Sequence, residues 1–390
     1  MQLSRRARWA VPTVAVAVTG AAIAANTVPS ASAAPALPAK TPAQLLADVA
    51  STHNVPPLTG TVVETTSLGL PQLPQAGNPT SLSSMLTGSH TVKVYWQDAK
   101  HFRLAVPQSL SETDIIRDGG TAWLWESNQN KVTKFTAPAD NSKKEPAAQQ
   151  PATAPLTPQQ AANEVLQKAG KTTTVGVQSN VDVAGEAAYQ LVLAPKDAKS
   201  TIGSVRIAID GKTGVPLRLQ VFGEGASSPA FQVGYTSISY TAPSPANFAF
   251  TPPAGATVTT PNAASHGARA GQAGAPSGSD MAGAGTYGTG WLAVAEFPAS
   301  GLLPGSSGTG SSASPAPSSS SANGNPLSGN SQEIINALLG SAKPVSGSWG
   351  SGQLLHTSLL NVLITGGKIY AGAVDPSVLY AAVGHTTSAG

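Results

Sequence analysis

Alternation of apolar and polar residues with a period of two is the feature that most restricts how this sequence can fold. Val92, Val94 and Trp96 alternate with polar neighbours, and Phe102 and Leu104 repeat the pattern after a turn. The same spacing recurs as far as residue 235, with glycine- or asparagine-containing turns between the segments. Successive side chains of a strand point to opposite faces of a sheet. The pattern therefore predicts consecutive antiparallel hairpins with one apolar face.

Two short helices belong to the same region. The segments at 41–44 (TPAQ) and 157–160 (TPQQ) each place a threonine at the N-cap and a glutamine three residues later, which is a capping box. Short amphipathic helices need a partner surface, so we expect both to pack in the concave side of the sheet. The predicted fold class is mainly β (α+β), an antiparallel sheet with helices in its concave side and a small α+β C-terminal module.

The first 33 residues have the features of a secretory signal. Three arginines within the first eight residues precede an uncharged apolar run at 9–25, and Ala31-Ser32-Ala33 has the small residues that signal peptidase accepts. We predict cleavage before Ala34 and a secreted or extracytoplasmic product, at most loosely associated with the membrane. The alternative is an uncleaved anchor, since the run approaches the length that spans a bilayer.

Composition divides the rest of the chain. The sequence contains 40 glycines and 32 prolines, and only 11% of its residues are charged. Residues 259–285 and 299–329 consist mostly of Ala, Gly, Ser and Pro and cannot bury enough surface to fold, so we predict disordered linkers there. A shorter Pro/Ala-rich segment lies at 137–155. This leaves a large domain at 41–258 and a small C-terminal module at 286–384, which the 299–329 insert interrupts.

The sequence gives no sign of a catalytic or metal site. It contains no cysteine, and its six histidines never occur with the spacing of a metal-binding pair. Asp98, Asp118, Asp210 and Asp375 sit at turns or a helix cap, where turn chemistry accounts for them. Nucleotide-binding and serine-hydrolase motifs do not occur in a strand–turn–helix context. A net charge of +3 provides no basic surface for nucleic acid. We therefore predict a non-enzymatic protein without cofactors, metal or nucleic acid.

A hydrophobic pocket between the sheet and its helices is the candidate site. If the helices under-fill the concave side, large apolar residues of the sheet would line a pocket that accepts a lipid acyl chain. The alternative is an ordinary core, because parity within a strand identifies a face and does not tell whether that face is covered. The predicted lining residues are Trp96, Phe102, Leu104, Trp123, Trp125, Leu191, Leu193, Ile207 and Leu217.

Three motifs in a fixed order carry a family resemblance. They are the segments at 118–125 (DGGTAWLW), 209–218 (IDGKTGVPLR) and 248–253 (FAFTPP), which follow the signal and the capped helix. This order resembles the LolA-like outer-membrane lipoprotein carriers and the N-terminal domain of the RseB/MucB sigma-factor regulators, and is most similar to their Gram-positive relatives. The resemblance covers about residues 41–258. It implies an unclosed β-barrel with helices in its concave side and a hydrophobic cavity.

Two functions follow from these observations. The first is an exported, non-enzymatic carrier or sensor whose partner is a lipid acyl chain or a lipoprotein. The second is an extracytoplasmic regulator that binds a membrane anti-sigma factor through the small C-terminal module.

Overall fold

The computed structural model describes residues 37–51, 55–70, 87–136, 163, 166–167, 169–260, 285–299 and 337–387. The predicted signal at 1–33, the segment at 137–155 and most of both predicted linkers lie outside these residues. So does most of the second predicted helix.

The first twelve strands form one sheet in the order β12-β6-β5-β4-β3-β2-β1-β11-β10-β9-β8-β7. All neighbours pair antiparallel except β12 and β6, which are parallel. Within the described residues, the edge strands β7 and β12 are not paired with each other, so the sheet stays open. The strands are β1 Leu58–Ser67, β2 Thr87–Asp98, β3 His101–Pro107, β4 Glu112–Asp118, β5 Thr121–Glu126, β6 Lys131–Thr136, β7 Thr173–Val183, β8 Glu186–Pro195, β9 Ile202–Asp210, β10 Pro216–Gly223, β11 Phe231–Ser239 and β12 Thr257–Thr259.

A second sheet of six strands has the order β13-β14-β18-β17-β16-β15, and all its pairs are antiparallel. Helix α2 packs on it, and Leu379 of this helix is buried against Val294, Leu363 and Tyr370. These elements are β13 Gly285–Tyr287, β14 Val294–Pro298, β15 Lys343–Gly347, β16 Gly350–His356, β17 Asn361–Thr365, β18 Lys368–Gly372 and α2 Pro376–Thr387. Short 3-10 helices lie at Ser127–Gln129, Pro245–Asn247 and Gly290–Leu292. The predicted fold class, mainly β with an open antiparallel sheet, is confirmed.

The predicted first helix is also confirmed. Helix α1 spans Pro42–Ser51, and the backbone N–H of Gln44 donates to Thr41 Oγ1 at 3.2 Å. The N–H of Thr41 donates in return to Gln44 Oε1 at 2.9 Å, which completes the capping box. Leu45 of α1 is buried against Tyr189 and Leu191. We call the sheet face on which α1 packs the helix face.

The opposite face of β3–β6 is covered by residues 241–256, which we call the strap. The strap follows β11 and ends in β12, whose Thr257 pairs with Lys131 of β6. At its start, the Tyr240 hydroxyl donates to the buried carboxylate of Asp210 and so fixes the chain to the β9–β10 turn. Phe248 of the strap is buried. We call the face beneath it the strap face.

The two sheets contact each other through their backbones. The N–H of Thr201 donates to the carbonyl of Ala373 at 3.0 Å, and the N–H of Ser358 donates to Leu68 at 2.9 Å. The approach is close enough to require glycine, since a Cβ on Gly223 would lie 2.7 Å from the carbonyl oxygen of Ser358. The small sheet thus contacts the large sheet through the segments just before β17 and just after β18, which lie at the same end of the small sheet.

Candidate functional site

An apolar row crosses the helix face from strand to strand. In an antiparallel sheet, directly paired residues point to the same side. Val177 pairs with Leu191, Leu191 with Ile207, Ile207 with Leu219, and Leu219 with Val233. The row therefore spans β7 to β11 and starts beneath α1, where Val177, Leu191 and Ile207 pack around Leu45.

A second apolar row lies beside the first. Its members, which follow the same register, are Val175, Leu193, Val205, Val221 and Phe231. A cleft of about 410 Å³ opens at its beginning, between α1 and β7. Pro42, Ala43, Leu166 and Val175 supply its apolar wall, and Lys196 lies at its rim.

The helix face continues across β3–β6 with partly exposed apolar residues. Leu104 pairs with Ile115, and Ile115 with Leu124. Phe102 lies in the adjacent row, which ends at Phe135 on β6. Ile115 is 43% and Phe135 44% exposed. We call this partly exposed apolar part of the helix face, on β3–β6, the open surface.

Six of the nine predicted pocket residues lie on the helix face. Trp96 stacks on Phe102 with ring centroids 5.8 Å apart, and its indole N–H donates to the carbonyl of Val55. Leu104 belongs to the open part of this face, whereas Leu191, Leu193 and Ile207 lie under or beside α1. These six are Trp96, Phe102, Leu104, Leu191, Leu193 and Ile207.

Trp123 and Trp125 require a correction, because they point to the strap face. Trp123 pairs with Ile116 and Trp125 with Asp114, two buried residues on the side opposite to Trp96. Both indoles contact Phe250 of the strap, with ring centroids 5.6 and 6.3 Å apart. They help to form a core under the strap, so one pocket cannot be lined by all nine predicted residues.

Leu217 belongs to a buried cluster against which Trp96 also packs. It sits where the register of β10 shifts between Pro216 and Arg218, and it is buried with Leu58 and Ala208. Its side chain is 1% exposed, which leaves no surface for a ligand.

The sequence prediction missed Leu219, Val233, Ile115, Leu124 and Phe135. Leu219, Val233 and Leu124 lie in segments that were predicted as strands, so their parity was available, whereas no strand was predicted around Ile115. The missing information was how the parity of one strand relates to that of the next, which depends on the number of residues in each turn.

Polar groups occur on both faces of the sheet. On the helix face, Glu64 Oε2 lies 3.7 Å from His90 Nδ1. On the strap face, the guanidinium of Arg103 contacts the buried carboxylate of Asp114, and the same guanidinium nitrogen lies 3.4 Å from Glu112 Oε1. Burial, together with Glu112, raises the pKa of Asp114 to about 7, although Arg103 acts in the opposite direction.

The described residues contain no group of three His, Asp or Glu side chains arranged to hold a metal ion. None of the helices in the described part of the chain combines the length and the apolar character needed to cross a membrane.

No protein-family model and no curated protein sequence matches this chain. It is similar to a chain of the Pseudomonas aeruginosa MucA/MucB complex, with 12% identity over 87% of this chain and 94% of that chain and a TM-score of 0.37. It is also similar to an uncharacterized conserved protein from Thermus thermophilus, with 14% identity over 56% of this chain and 97% of that chain and a TM-score of 0.31. A third similar structure is a LolA superfamily protein from Nitrosomonas europaea, with 11% identity over 54% of this chain and 99% of that chain and a TM-score of 0.21. Both groups that the sequence motifs resemble are among these structures.

Proposed function

We propose that this chain is an exported, non-enzymatic carrier or sensor that binds an acyl chain of a lipid or lipoprotein on its helix face. The proposal rests on one observation: the apolar side chains on the two faces of β3–β6 are buried to different extents. The strap buries the apolar residues of one face, while Ile115 and Phe135 remain more than 40% exposed on the other. Large exposed apolar surfaces of this kind mark sites for ligands or partners.

The free energy of burial is large enough for such a ligand. Each methylene group that leaves water contributes about 0.8 kcal/mol, so a chain of about fifteen carbons contributes roughly 12 kcal/mol before the cost of association. On the open surface of β3–β6, the row of Leu104, Ile115 and Leu124 and the adjacent residues Phe102 and Phe135 provide apolar contact for such a chain.

Binding of a fluorescent fatty-acid analogue to the delipidated mature protein tests the proposal. Ile115→Glu places a charge on the open surface, where burying it against an acyl chain is unfavourable. We expect this variant to bind the analogue about tenfold more weakly, a change of about 1.4 kcal/mol. Its melting temperature should change little, because Ile115 is half-exposed.

Leu110→Glu is the matched control. Leu110 is fully exposed at the β3–β4 turn and lies outside the sheet, so the same substitution there should leave affinity unchanged. Absence of binding to the unmodified protein would refute the proposal. Equal affinities for the two variants would show that the helix face of β3–β6 is not the site.

The proposal includes export and the domain plan predicted from the sequence. Cleavage before Ala34 leaves a product outside the cytoplasm, in which the segments at 259–285 and 299–329 act as linkers. N-terminal sequencing of the secreted protein should begin at Ala34, and a sequence beginning at Met1 would instead indicate the anchor.

The regulator that binds an anti-sigma factor is the second candidate function. MucB, a protein of the similar structures, was solved with MucA. In this case the partner would bind through the small C-terminal sheet, and Ile115→Glu would leave its binding unchanged.

A further inference from the structure

One charged side chain lies within the open surface. Phe102 of β3 pairs with Arg117 of β4, and Arg117 pairs with Ala122 of β5. Ala122 pairs in turn with Phe135 of β6. Because directly paired residues share a face, Arg117 lies on the helix face in one row with two aromatic residues. The open surface therefore combines apolar side chains with a positive charge.

The guanidinium of Arg117 keeps donors for a ligand. Its Nε donates to the carbonyl oxygen of Gly119 at 3.3 Å, and the side chain is partly exposed. Arg117 forms no ion pair with any described residue. At this end of the sheet, Asp98 and Asp118 flank His101 instead, with oxygen-to-nitrogen distances of 3.0 and 3.6 Å. The N–H groups of both terminal nitrogens of Arg117 thus remain available.

The opposite edge of the open surface carries two charges that offset each other. Glu126 of β5 pairs with Lys131 of β6 on the helix face, and Lys131 Nζ lies 3.9 Å from Glu126 Oε2. Apart from these two, Arg117 is the only charged residue of β3–β6 on this face. Arg117 therefore gives the open surface a net positive charge.

We infer, on the basis of the proposed function, that Arg117 binds an anionic lipid head group, a carboxylate or a phosphate, while the acyl chain lies over Ile115 and Leu124. The planar guanidinium matches the oxygens of both groups and binds them through two parallel hydrogen bonds. An ammonium head would be repelled by Arg117, and a hydroxyl head would form only a weaker bond without charge attraction.

The open surface has the length that this arrangement requires. Four residue steps of about 3.4 Å along β4 lead from Arg117 to Thr113, and two strand spacings of about 4.8 Å lead from there to Lys131. The direct distance from Arg117 to Lys131 is therefore about 17 Å, and Leu124 lies midway. One acyl chain, which fills half of a bilayer core about 30 Å thick, needs about 15 Å. A chain with its head at Arg117 thus stays on the open surface.

Two pairs of lipids with the same acyl chain length test this inference. The first pair is myristate and 1-tetradecanol, and the second is 1-myristoyl-lysophosphatidate and 1-monomyristoylglycerol. Each lipid displaces the uncharged fluorescent probe Nile red from the full-length mature protein. We expect the anionic member of each pair to bind at least about fivefold more tightly, as a charge-assisted bidentate contact implies. A preference in one pair alone assigns the head group as carboxylate or as phosphate.

Arg117→Gln should reduce the preference for the anionic lipids to less than about twofold and leave the affinity for Nile red unchanged. Lys134→Gln is the matched control. Lys134 lies on the strap face of β6, with its Nζ 5.0 Å from the ring centre of Trp123, so this variant loses the same charge from the other side of the sheet. It should keep the full preference.

The outcomes separate this inference from the proposed function. If Nile red does not bind to the unmodified protein, both fail together. If Nile red binds but neither anionic lipid is preferred, the head-group site is refuted and the proposed function stands. The head-group site is also refuted if Arg117→Gln keeps the preference, or if Lys134→Gln loses it to the same extent.

Discussion

Both faces of β3–β6 carry apolar side chains, but the two faces differ in how far these side chains are buried. On the strap face, Ile116 and Val132 are 1% and 0% exposed, and their paired neighbours Trp123 and Trp125 contact Phe250 of the strap. On the helix face, the neighbouring Ile115 is 43% exposed. The apolar residues of these strands therefore differ in their surroundings from one face to the other. One face forms a core with the chain's own strap, and the other leaves residues of the same type partly exposed.

Substitution of two adjacent isoleucines, one on each face, should give the largest difference in the free energy of unfolding. Ile116→Ala removes a fully buried side chain and should lower the free energy of unfolding by about 2–5 kcal/mol. Ile115→Ala removes the same atoms from the open face and should cost less than about 1 kcal/mol. Urea denaturation of both variants measures the difference. Similar losses would mean that the helix face is also covered by the protein itself.

Much of the fold can be predicted from the sequence because the signals are local. Thr41 and Gln44 predicted the start of α1, and the alternation predicted strands β2, β3, β5 and β8 to β11 within a few residues. The turn at 211–214 was also predicted, and it joins β9 to β10. In each case, neighbouring residues determine the backbone through capping, parity or turn chemistry.

The face of each strand could be predicted only in part. The two-residue turn at 119–120 pairs Asp118 with Thr121, and this alone places Trp123 opposite Ile116. The turn from β3 to β4 is longer, with Gln108 N–H bonded to Ser111, and its length was not evident from the sequence. A change of one residue there would exchange the faces, so Trp96 and Trp123 could not be assigned to opposite sides.

The strap was not predictable from local signals. Phe248 and Phe250 alternate like strand residues, but what they cover lies more than 100 positions earlier in the chain. The contact depends on where β11 ends and on the bond from Tyr240 to Asp210, both of which are properties of the assembled sheet. The role of Trp123 and Trp125 in a core followed from this long-range contact.

Release of the strap should have an intermediate effect on the free energy of unfolding. Tyr240→Phe removes the hydroxyl that donates to the buried Asp210 and accepts from Thr213 Oγ1 at 3.0 Å. Loss of a hydrogen bond to a charged buried group costs about 1.5–3 kcal/mol. We also expect a red shift of tryptophan emission, because the strap would cover Trp123 and Trp125 less well. Tyr235→Phe is the control, since Tyr235 packs over Gly60 outside this contact. Equal losses for both tyrosines would contradict a fixing role for Tyr240.

The ionisable group on the strap face should make stability depend on pH, because Asp114 is buried beside Arg103 and Glu112. The pKa of Asp114 is raised to about 7 from a usual value of 3.8, chiefly by burial. Between about pH 4 and pH 7, the folded protein therefore retains a proton that the unfolded chain has lost. Stability that depends on this group is present below about pH 4 and decreases as the pH rises towards 7.

Asp114→Asn should remove this dependence. The difference in the free energy of unfolding between the unmodified protein and the variant should fall from pH 4 to pH 7 and then level off, as measured by urea denaturation at each pH. Glu112→Gln should keep the slope but end it at a lower pH, because Glu112 helps to raise the pKa of Asp114. Since both carboxylates lie on the strap face, neither variant should alter lipid affinity. Parallel pH profiles for the unmodified protein and Asp114→Asn would show that Asp114 is ionised in the folded protein throughout this range and that Arg103 outweighs burial.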